Sequence, residues 1–480
     1  MRMPYSFVAG FLMVLGCVQA QAQFLPLAQE QLPLTAEKQS PTDLNQNVQH
    51  SPLDAPAATF APPAPPRQIF NASQFVGHDA DTRASQSQQG HGHIIHSRPG
   101  GNTYGPTPLY KVGILQDRIF GANADQSKIK ISGWADADYT FRSSGAGRTN
   151  IAPLMNNYGN EFLFREVGVV LQRPLDPKEL SWGFNTIFFG GSDAAFINPT
   201  RGWIANPDPR FSAQFTDLNV TMHLPILTEG GVDIKAGRQT SILGPMGALS
   251  WQRPFASSDM GWNIMEEGRY TGFSAVWHVT RQLHWYNGVE LGGWQVFFDS
   301  IASYTNNYIT NVTYWLDEDA RNTKVWATLL TGPTSPFNTG TTTIVELGGL
   351  HHWNDRFWQV VTFQAANSYA PIGGDTPPPP DYHQQSHTLY TYLGYHITPL
   401  WDLNGRIEWF RDLDGLRYPG GYGIPDTNYV EITVGPNYHP YKWLQYRPEI
   451  RYDHASNPAY GASQTQRDQL SLVASVLLQF

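Results

Sequence analysis

From residue 128 to its last residue, Phe480, the chain alternates polar and apolar side chains with a period of two, between turn signals. The stretch at residues 128–142 shows this best, with Lys128, Lys130, Ser132, Trp134, Asp136, Asp138, Thr140 and Arg142 on one face and Ile129, Ile131, Gly133, Ala135, Ala137, Tyr139 and Phe141 on the other. Side chains of a strand point alternately to its two faces. Each stretch therefore predicts a strand with one face toward an apolar medium and the other toward water.

The connections between these stretches alternate strictly between short and long. Short ones, such as Pro440–Lys442, fit tight hairpins. The long polar ones are residues 143–160, 190–212, 240–269, 298–307, 331–341, 366–385, 412–427 and 454–467. Bacterial outer-membrane barrels have this asymmetry, with short periplasmic turns and long external loops. The sequence therefore predicts an all-β fold, a closed antiparallel transmembrane β-barrel of about 16 strands.

The final stretch has the character of a closing strand. Its apolar face consists of Leu470, Leu472, Ala474, Val476, Leu478 and Phe480. Left unpaired, this strand would be an exposed edge, so we expect it to pair with the strand that starts at Lys128. We also expect it to engage the barrel-assembly machinery. A soluble β-sandwich is the alternative, but a sandwich has no reason to alternate short and long connections.

Composition excludes several other classes of protein. The chain is 41% hydrophobic with a mean hydropathy of -0.37, and no segment after the first residues approaches the ~20 consecutive apolar residues of a membrane helix. A net charge of -9 argues against a nucleic-acid partner. Cys17 is the single cysteine, so we expect no disulfide framework and no cysteine-based site.

The N-terminus has the features of an export signal. Arg2 precedes the apolar stretch Phe7–Val18, and Ala20–Ala22 forms the small-x-small pattern of a cleavage site. Residues 1–22 are therefore predicted to be a signal peptide. Lipidation of Cys17 is the alternative, because the residues before it faintly resemble a lipoprotein box.

Residues 23–127 form a low-complexity segment rich in Pro, Gln, Ser and Ala, as in Ala61–Pro66. They lack apolar periodicity, so we predict a largely disordered leader. His91, His93 and His96 raise the alternative of a metal site, but no acidic or cysteine partner lies beside them. The leader could also act as a plug of the barrel or as a cell-wall anchor.

Four stretches carry recognisable strand and turn signatures, namely Ile131–Thr140, Arg173–Asp176, Ser181–Phe184 and Lys235–Arg238. Through them, residues 128–480 resemble a known family, the OmpL-like β-barrel porins of the porin-2 type. The resemblance therefore implies an outer-membrane barrel with a pore, and it implies no particular solute.

A barrel of this size holds water along its axis, so we expect passive diffusion of small hydrophilic solutes. The longest loop, residues 240–269, is predicted to fold into the lumen; an external loop is the alternative. The candidate pore-lining and constriction residues are Arg253, Asp259, Glu266, Glu267, Arg406, Glu408, Arg447, Glu449 and Arg451. Each of them could instead be an ion-paired wall residue.

We expect no catalytic residues, no cofactor and no metal, because no nucleophile, zinc or nucleotide motif occurs in a suitable context. The expected partners are outer-membrane lipid and small solutes. The sequence leaves open whether the chain forms a homotrimer. A structural or adhesive surface barrel, anchored or plugged by the leader, is the alternative function.

Overall fold

In the computed structural model, the described residues form one large closed sheet preceded by a short helix. It describes residues 114–124, 127–145, 147–148, 158–197, 204–205, 210–261, 269–291, 306–317, 322–332, 341–368, 383–415, 417–418, 421–422, 424–461 and 463–480. The predicted signal peptide and most of the predicted leader, with its three histidines, lie outside these residues. Within the described ranges, no helix is long and apolar enough to cross a membrane.

Sixteen long antiparallel strands form the barrel. They are β1 (Lys130–Arg142), β2 (Glu161–Arg173), β3 (Ser181–Gly191), β4 (Ser212–Leu224), β5 (Val232–Thr240), β6 (Arg269–His278), β7 (Leu283–Leu291), β8 (Asn306–Trp315), β9 (Thr323–Gly332), β10 (Thr342–His352), β11 (Phe357–Ser368), β12 (Gln384–Thr398), β13 (Trp401–Asp412), β14 (Thr427–Tyr441), β15 (Leu444–Ala455) and β16 (Asp468–Gln479). Each pairs with its neighbour in sequence, and β1 pairs with both β2 and β16. The predicted closed barrel of 16 strands is confirmed.

Smaller elements lie outside the sixteen strands, most of them in the long connections. Ile204–Ala205 adds a short strand beside β4. Two further two-residue ladders pair Gly147–Arg148 with Tyr158–Gly159 and Arg417–Tyr418 with Gly421–Tyr422. The remaining elements are the helices α1 (Ile114–Phe120) and α2 (Ser192–Ile197) and the 3-10 turns Gly121–Asn123 and Ser250–Gln252.

The end of the predicted leader is ordered, which the sequence analysis did not expect. Helix α1 lies there, and its Gln116 side chain ties it to the start of the barrel. Gln116 donates to the carbonyl of Ile129 at 3.0 Å and accepts from the amide of Ile131 at 2.7 Å. These bonds satisfy backbone groups on either side of the start of β1, which begins at Lys130 instead of Lys128.

The seam between β1 and β16 closes the barrel as predicted. Trp134 lies opposite Gln479 and Arg142 opposite Ser471, without a register shift between them. At the end of the seam, the amide of Gly133 donates to the carbonyl of Phe480 at 2.6 Å, and the amide of Phe480 donates back at 2.9 Å. Both edges of the sheet are thereby removed.

Side chains alternate between the outer surface and the lumen along most of each strand. In β16, Leu470, Leu472, Ala474, Val476 and Leu478 are exposed on the outside while the residues between them are buried. Aromatic side chains cluster outside near the short turns, namely Trp182, Trp285, Trp353, Tyr395, Trp401, Tyr441, Trp443 and Tyr446. This is the arrangement of an apolar band flanked by an interfacial aromatic girdle.

Three tryptophans inside the barrel each cover a glycine of the next strand. The pairs are Trp134 with Gly168, Trp326 with Gly348, and Trp358 with Gly394. A Cβ atom built on any of these glycines would overlap the indole. The missing side chain therefore makes room for the ring, which covers the exposed glycine backbone.

The seam register can be tested by a disulfide across it. Thr140 and Val473 are opposite one another and point inward. Hydrogen-bonded and non-hydrogen-bonded pairs alternate along an antiparallel ladder, and Gly133 with Phe480 is a hydrogen-bonded pair. Thr140 and Val473 are therefore a non-hydrogen-bonded pair, with Cα atoms about 4.5 Å apart. We expect Thr140→Cys with Val473→Cys, in a Cys17→Ser background, to form an intramolecular disulfide on oxidation.

The matched control is Thr140→Cys with Ser471→Cys, which are diagonal neighbours about 7–8 Å apart and should not cross-link. Gel mobility and thiol labelling distinguish the two. Efficient cross-linking of the diagonal pair alone would show that the seam has another register.

Candidate functional site

Two connections fold back into the lumen. Residues 241–261, here called the inward segment, follow β5, and all but two of them are buried. Helix α2 follows β3, and its Asp193 and Ala194 are also buried. The predicted inward folding of the longest loop agrees with this geometry for its described part.

Wall carboxylates hold the inward segment by its backbone amides. Such charge-assisted bonds are among the strongest in proteins, and they fix the backbone without regard to its side chains. At 2.6–3.3 Å, Gly244 donates to Glu346, Ser250 to Glu166, Ala256 and Ser257 to Glu449, and Met260 and Gly261 to Glu408.

Wall arginines hold the same segment by its carbonyl groups. Arg447 donates to the carbonyl of Ser250 at 2.7 Å, Arg406 to that of Ser257 at 3.0 Å, and Arg451 to that of Ser258 at 2.6 Å. Arg406 also pairs with Glu431 at 2.8 Å, and Arg451 with Asp453 at 2.7 Å. These arginines are thus in direct contact with the inward segment.

The structure brings most of the predicted site residues together. Five of them, Arg406, Glu408, Arg447, Glu449 and Arg451, line the wall beneath the inward segment and are almost fully buried. Each of the five bonds to at least one backbone atom of the segment, which the sequence analysis did not anticipate.

The predicted residues of the loop itself divide into two groups. Asp259 accepts from the Tyr392 hydroxyl at 2.6 Å, and Arg406 donates to that same hydroxyl at 3.3 Å. Asp259 therefore faces Arg406 through one side chain, close to the predicted arrangement. Glu266 and Glu267 lie outside the described residues.

A second group of charges, here called the β1–β2 cluster, consists of Asp136, Asp138, Arg165, Glu166, Asp193 and Arg253. Arg165 lies 2.7 Å from Asp193, 3.3 Å from Asp138 and 3.5 Å from Asp136. Arg253 reaches across from the inward segment to Asp193 at 3.5 Å and Glu166 at 3.7 Å. Burial, together with the neighbouring Arg165, lowers the pKa of Arg253 below its ordinary value.

Arg165 belongs to this cluster because of a β-bulge. Asp136 pairs with Glu166 but Ala137 pairs with Phe164, so Arg165 is the extra residue of β2. The bulge turns both Arg165 and Glu166 inward. Strict alternation would place these two side chains on opposite faces, so the sequence pattern predicts that only one of them points inward. The sequence does contain one sign of the bulge, namely two charged residues next to each other.

Apolar side chains close another part of the lumen. Ile242, Leu243 and Met260 of the inward segment pack against a layer of wall residues from β6 to β14. The wall side of this layer consists of Tyr270, Tyr286, Ile309, Leu330, Ile344, Ala366, Phe410 and Tyr429, with Tyr460 from the last loop. All of these side chains are at most 5% exposed. The sequence analysis did not identify this layer.

Histidine–carboxylate groups lie near the short turns. His223 and His278 flank Asp233 at 2.6 and 3.1 Å, and His396 lies 2.6 Å from Asp402. In the described part of the chain, no group of His, Cys, Asp or Glu side chains has an arrangement that could hold a metal ion. These groups are short histidine–carboxylate contacts at the barrel rim.

Together, the closed sheet, the apolar outer band and the charged lumen define an outer-membrane β-barrel channel. Residues 128–480 match the family described as "Putative beta-barrel porin-2, OmpL-like". The chain belongs to this family of outer-membrane porins, as its strand and turn signatures predicted. No curated protein matches the chain in sequence.

Solved outer-membrane proteins share the fold at low sequence identity. Pseudomonas putida OprB superposes with a TM-score of 0.50 and 9% identity, over 76% of this chain and 97% of that one. The channel DcaP of Acinetobacter baumannii gives 0.48 and 12%, over 73% and 97% of the two chains. An anion-selective porin from Comamonas acidovorans gives 0.48 and 11%, over 73% and 99%.

Docking of the inward segment predicts the effect of Glu408→Ala. The substitution leaves the amides of Met260 and Gly261 without their acceptor, at a cost of about 1–3 kcal/mol for each buried group. We expect faster hydrogen exchange of residues 256–261 in the detergent-solubilised barrel, measured by mass spectrometry.

Asp412→Asn is the matched control, because Asp412 lies on the same strand and face but accepts from Gly415 at 2.8 Å, outside the inward segment. It should leave exchange of residues 256–261 unchanged. Equal protection in Glu408→Ala and the native chain would contradict the docking described above.

Proposed function

We propose that the barrel passes small hydrophilic solutes by passive diffusion through a lumen narrowed by the inward segment. The observation that carries this proposal is the charged wall of a 16-strand barrel holding a chain segment across its interior. A barrel of this width holds water unless side chains or loops fill it. Selection by size and charge then occurs where the remaining passage is narrowest.

The inward segment is the proposed constriction element. Two side chains of the segment, Arg253 and Asp259, would contact passing solutes. The position of the segment would be set by the wall residues Arg406, Glu408, Arg447, Glu449 and Arg451. No catalytic role is proposed for any of these residues, because family membership points to a channel.

Other predicted interactions extend this proposal. The outer apolar band would contact lipid, and the strand ending at Phe480 would engage the assembly machinery. Assembly into a homotrimer through the outer wall is also proposed; cross-linking of native membranes tests it. The family does not favour the alternative of a purely structural or adhesive barrel, although the leader could still plug or anchor the channel.

Planar-bilayer recording distinguishes these functions. We expect ohmic conductance from the full chain and from a form lacking residues 23–113, because diffusion needs only the barrel. Conductance that appears only after the deletion would identify the leader as a plug. Absence of conductance from both forms, once each is shown to be folded by its gel migration, would contradict the porin function.

Shortening the inward segment tests its role as the constriction. Replacing residues 244–258 with a short Gly–Ser linker removes the chain from the lumen along with most of its anchoring bonds. We expect single-channel conductance to rise severalfold, because resistance is concentrated at the narrowest section. Shortening the connection between β11 and β12 (residues 369–382) by the same number of residues provides the control. Unchanged conductance would rule out the constriction role.

A further inference from the structure

We infer that the inward segment is a gate: docked as described, it closes the lumen, and solutes pass only while residues 241–261 are displaced from the wall. This inference rests on the proposed porin function and makes the proposed constriction a movable element. It goes beyond a fixed constriction, which would leave a passage open beside the segment at all times.

The inward segment reaches opposite sides of the barrel. Glu166 lies on β2 and Glu346 on β10, eight strands apart in a ring of sixteen, so the two carboxylates belong to facing walls. Glu346 accepts from the amide of Gly244 at 2.6 Å, and Glu166 accepts from the amide of Ser250 at 2.9 Å. The chain between these two amides therefore crosses the lumen from wall to wall.

Apolar side chains of the segment pack against the wall in three directions. The layer from β6 to β14 described above is the first. Met246 and Phe255 belong to a second cluster, with inward-facing residues of β9 to β12. Leu249 belongs to a third, with residues of β1 to β3 and β16. The buried members of the three clusters are at most 6% exposed.

Polar contacts cover the arcs of the wall that the apolar clusters leave. Asn437 of β14 donates to the carbonyl of Pro254 at 3.0 Å, and the β15 arginines bond to the segment as described above. On β4, Gln214 donates to the carbonyl of Ala194 in α2 at 2.5 Å. Since β5 leads directly into the segment, the segment and α2 together reach every strand of the barrel.

The docked segment therefore excludes water from its level of the lumen, as far as the described residues extend. The side chains in these contacts have almost no accessible surface, whether they are apolar or charged. Ions and hydrophilic solutes need a hydrated path, and dry constrictions block them. A porin with this interior must have a second state, in which the segment leaves the wall.

Hydration of the wall charges favours that second state. Glu346, Glu408 and Glu449 are at most 3% exposed beneath the segment. Burial of a charge carries a desolvation cost that its bonds offset only in part. Displacement of the segment would return water to these carboxylates, and it would leave the sheet intact because the segment is not one of its strands. The apolar clusters favour the docked state, so the two states compete.

The wall uncovered by displacement is polar. Its three carboxylates would line the lumen together with the guanidinium groups of Arg406, Arg447 and Arg451. Charges of both signs around a hydrated lumen suit small hydrophilic solutes. The residues that hold the gate closed thus become the lining of the open pore.

A disulfide between the segment and the wall tests this inference. A Cβ atom placed on Gly261 would lie 2.9 Å from Cγ2 of Thr388 on β12. Across a disulfide, each Cβ atom lies roughly 3 Å from the sulfur of the partner, so cysteines at these two positions can form one. Because β12 is seven strands away from β5, the bond would hold the segment across the lumen.

We expect Gly261→Cys with Thr388→Cys, in a Cys17→Ser background, to lose its conductance in planar bilayers on oxidation and to regain it on reduction. The reason is that the disulfide removes the displaced state, which carries the current. The matched control is the seam pair Thr140→Cys with Val473→Cys, which joins two wall strands and should conduct equally in both redox states.

The outcomes separate failure of the gate from failure of the porin function. A channel that conducts like the native chain with its Gly261→Cys and Thr388→Cys cross-link formed would overturn the gate. If neither the native chain nor the form with residues 244–258 replaced conducts, the porin function is wrong and the gate falls with it. Conductance of the replaced form alone would support closure of the lumen by the docked segment.

Ser258→Cys, in the same background, decides should the cysteine pair fail to fold. Ser258 is 1% exposed in the docked segment, so the thiol can react with a water-soluble maleimide only during displacement. We expect slow labelling of the folded barrel, and faster labelling when Glu408→Ala removes the acceptor of the Met260 and Gly261 amides. Full labelling after unfolding, with none in either folded form, would overturn the gate.

Discussion

Pairing of backbone hydrogen-bonding groups is the constraint on which the rest of this structure depends. In hydrocarbon an unpaired N–H or C=O group costs several kcal/mol, so a spanning sheet must have no free edge. The chain meets this condition at the seam between β1 and β16, where Gly133 and Phe480 exchange both of their hydrogen bonds. Closure therefore places the last strand beside the first, with Phe480 at the end of the seam.

The same constraint acts again inside the lumen. The inward segment lies where other strands cannot pair with it, so its amides and carbonyls need partners from side chains. Glu346, Glu408 and Glu449 accept from its amides, while Arg406, Arg447 and Arg451 donate to its carbonyls. Many charges on the inner wall therefore bind the protein's own backbone, and Glu166 of β2 does the same for the amide of Ser250.

Local pattern predicted the barrel well, because the alternation of side chains and the length of each turn are properties of neighbouring residues. It also identified the loop that folds inward and most wall charges around it. It did not predict two kinds of residue in the lumen. One is Arg165, which a bulge turns inward. The other is Asp193, which lies in a connection, on α2, and contacts Arg165. Contacts such as that of Ser250 with Arg447, far apart in the chain, leave no periodic trace in the sequence.

The indoles that cover glycines also help to fix the register of neighbouring strands. Displacing β9 against β10 by two residues would preserve the faces of both strands, yet it would press Trp326 against Glu346 or Leu350 instead of Gly348. For β1 and β2 the same slip would set Trp134 against Glu166 or Val170. Ladder hydrogen bonds alone do not distinguish these registers. The three tryptophan–glycine pairs therefore favour the native register, because a hairpin displaced by two residues would have a steric clash at the indole.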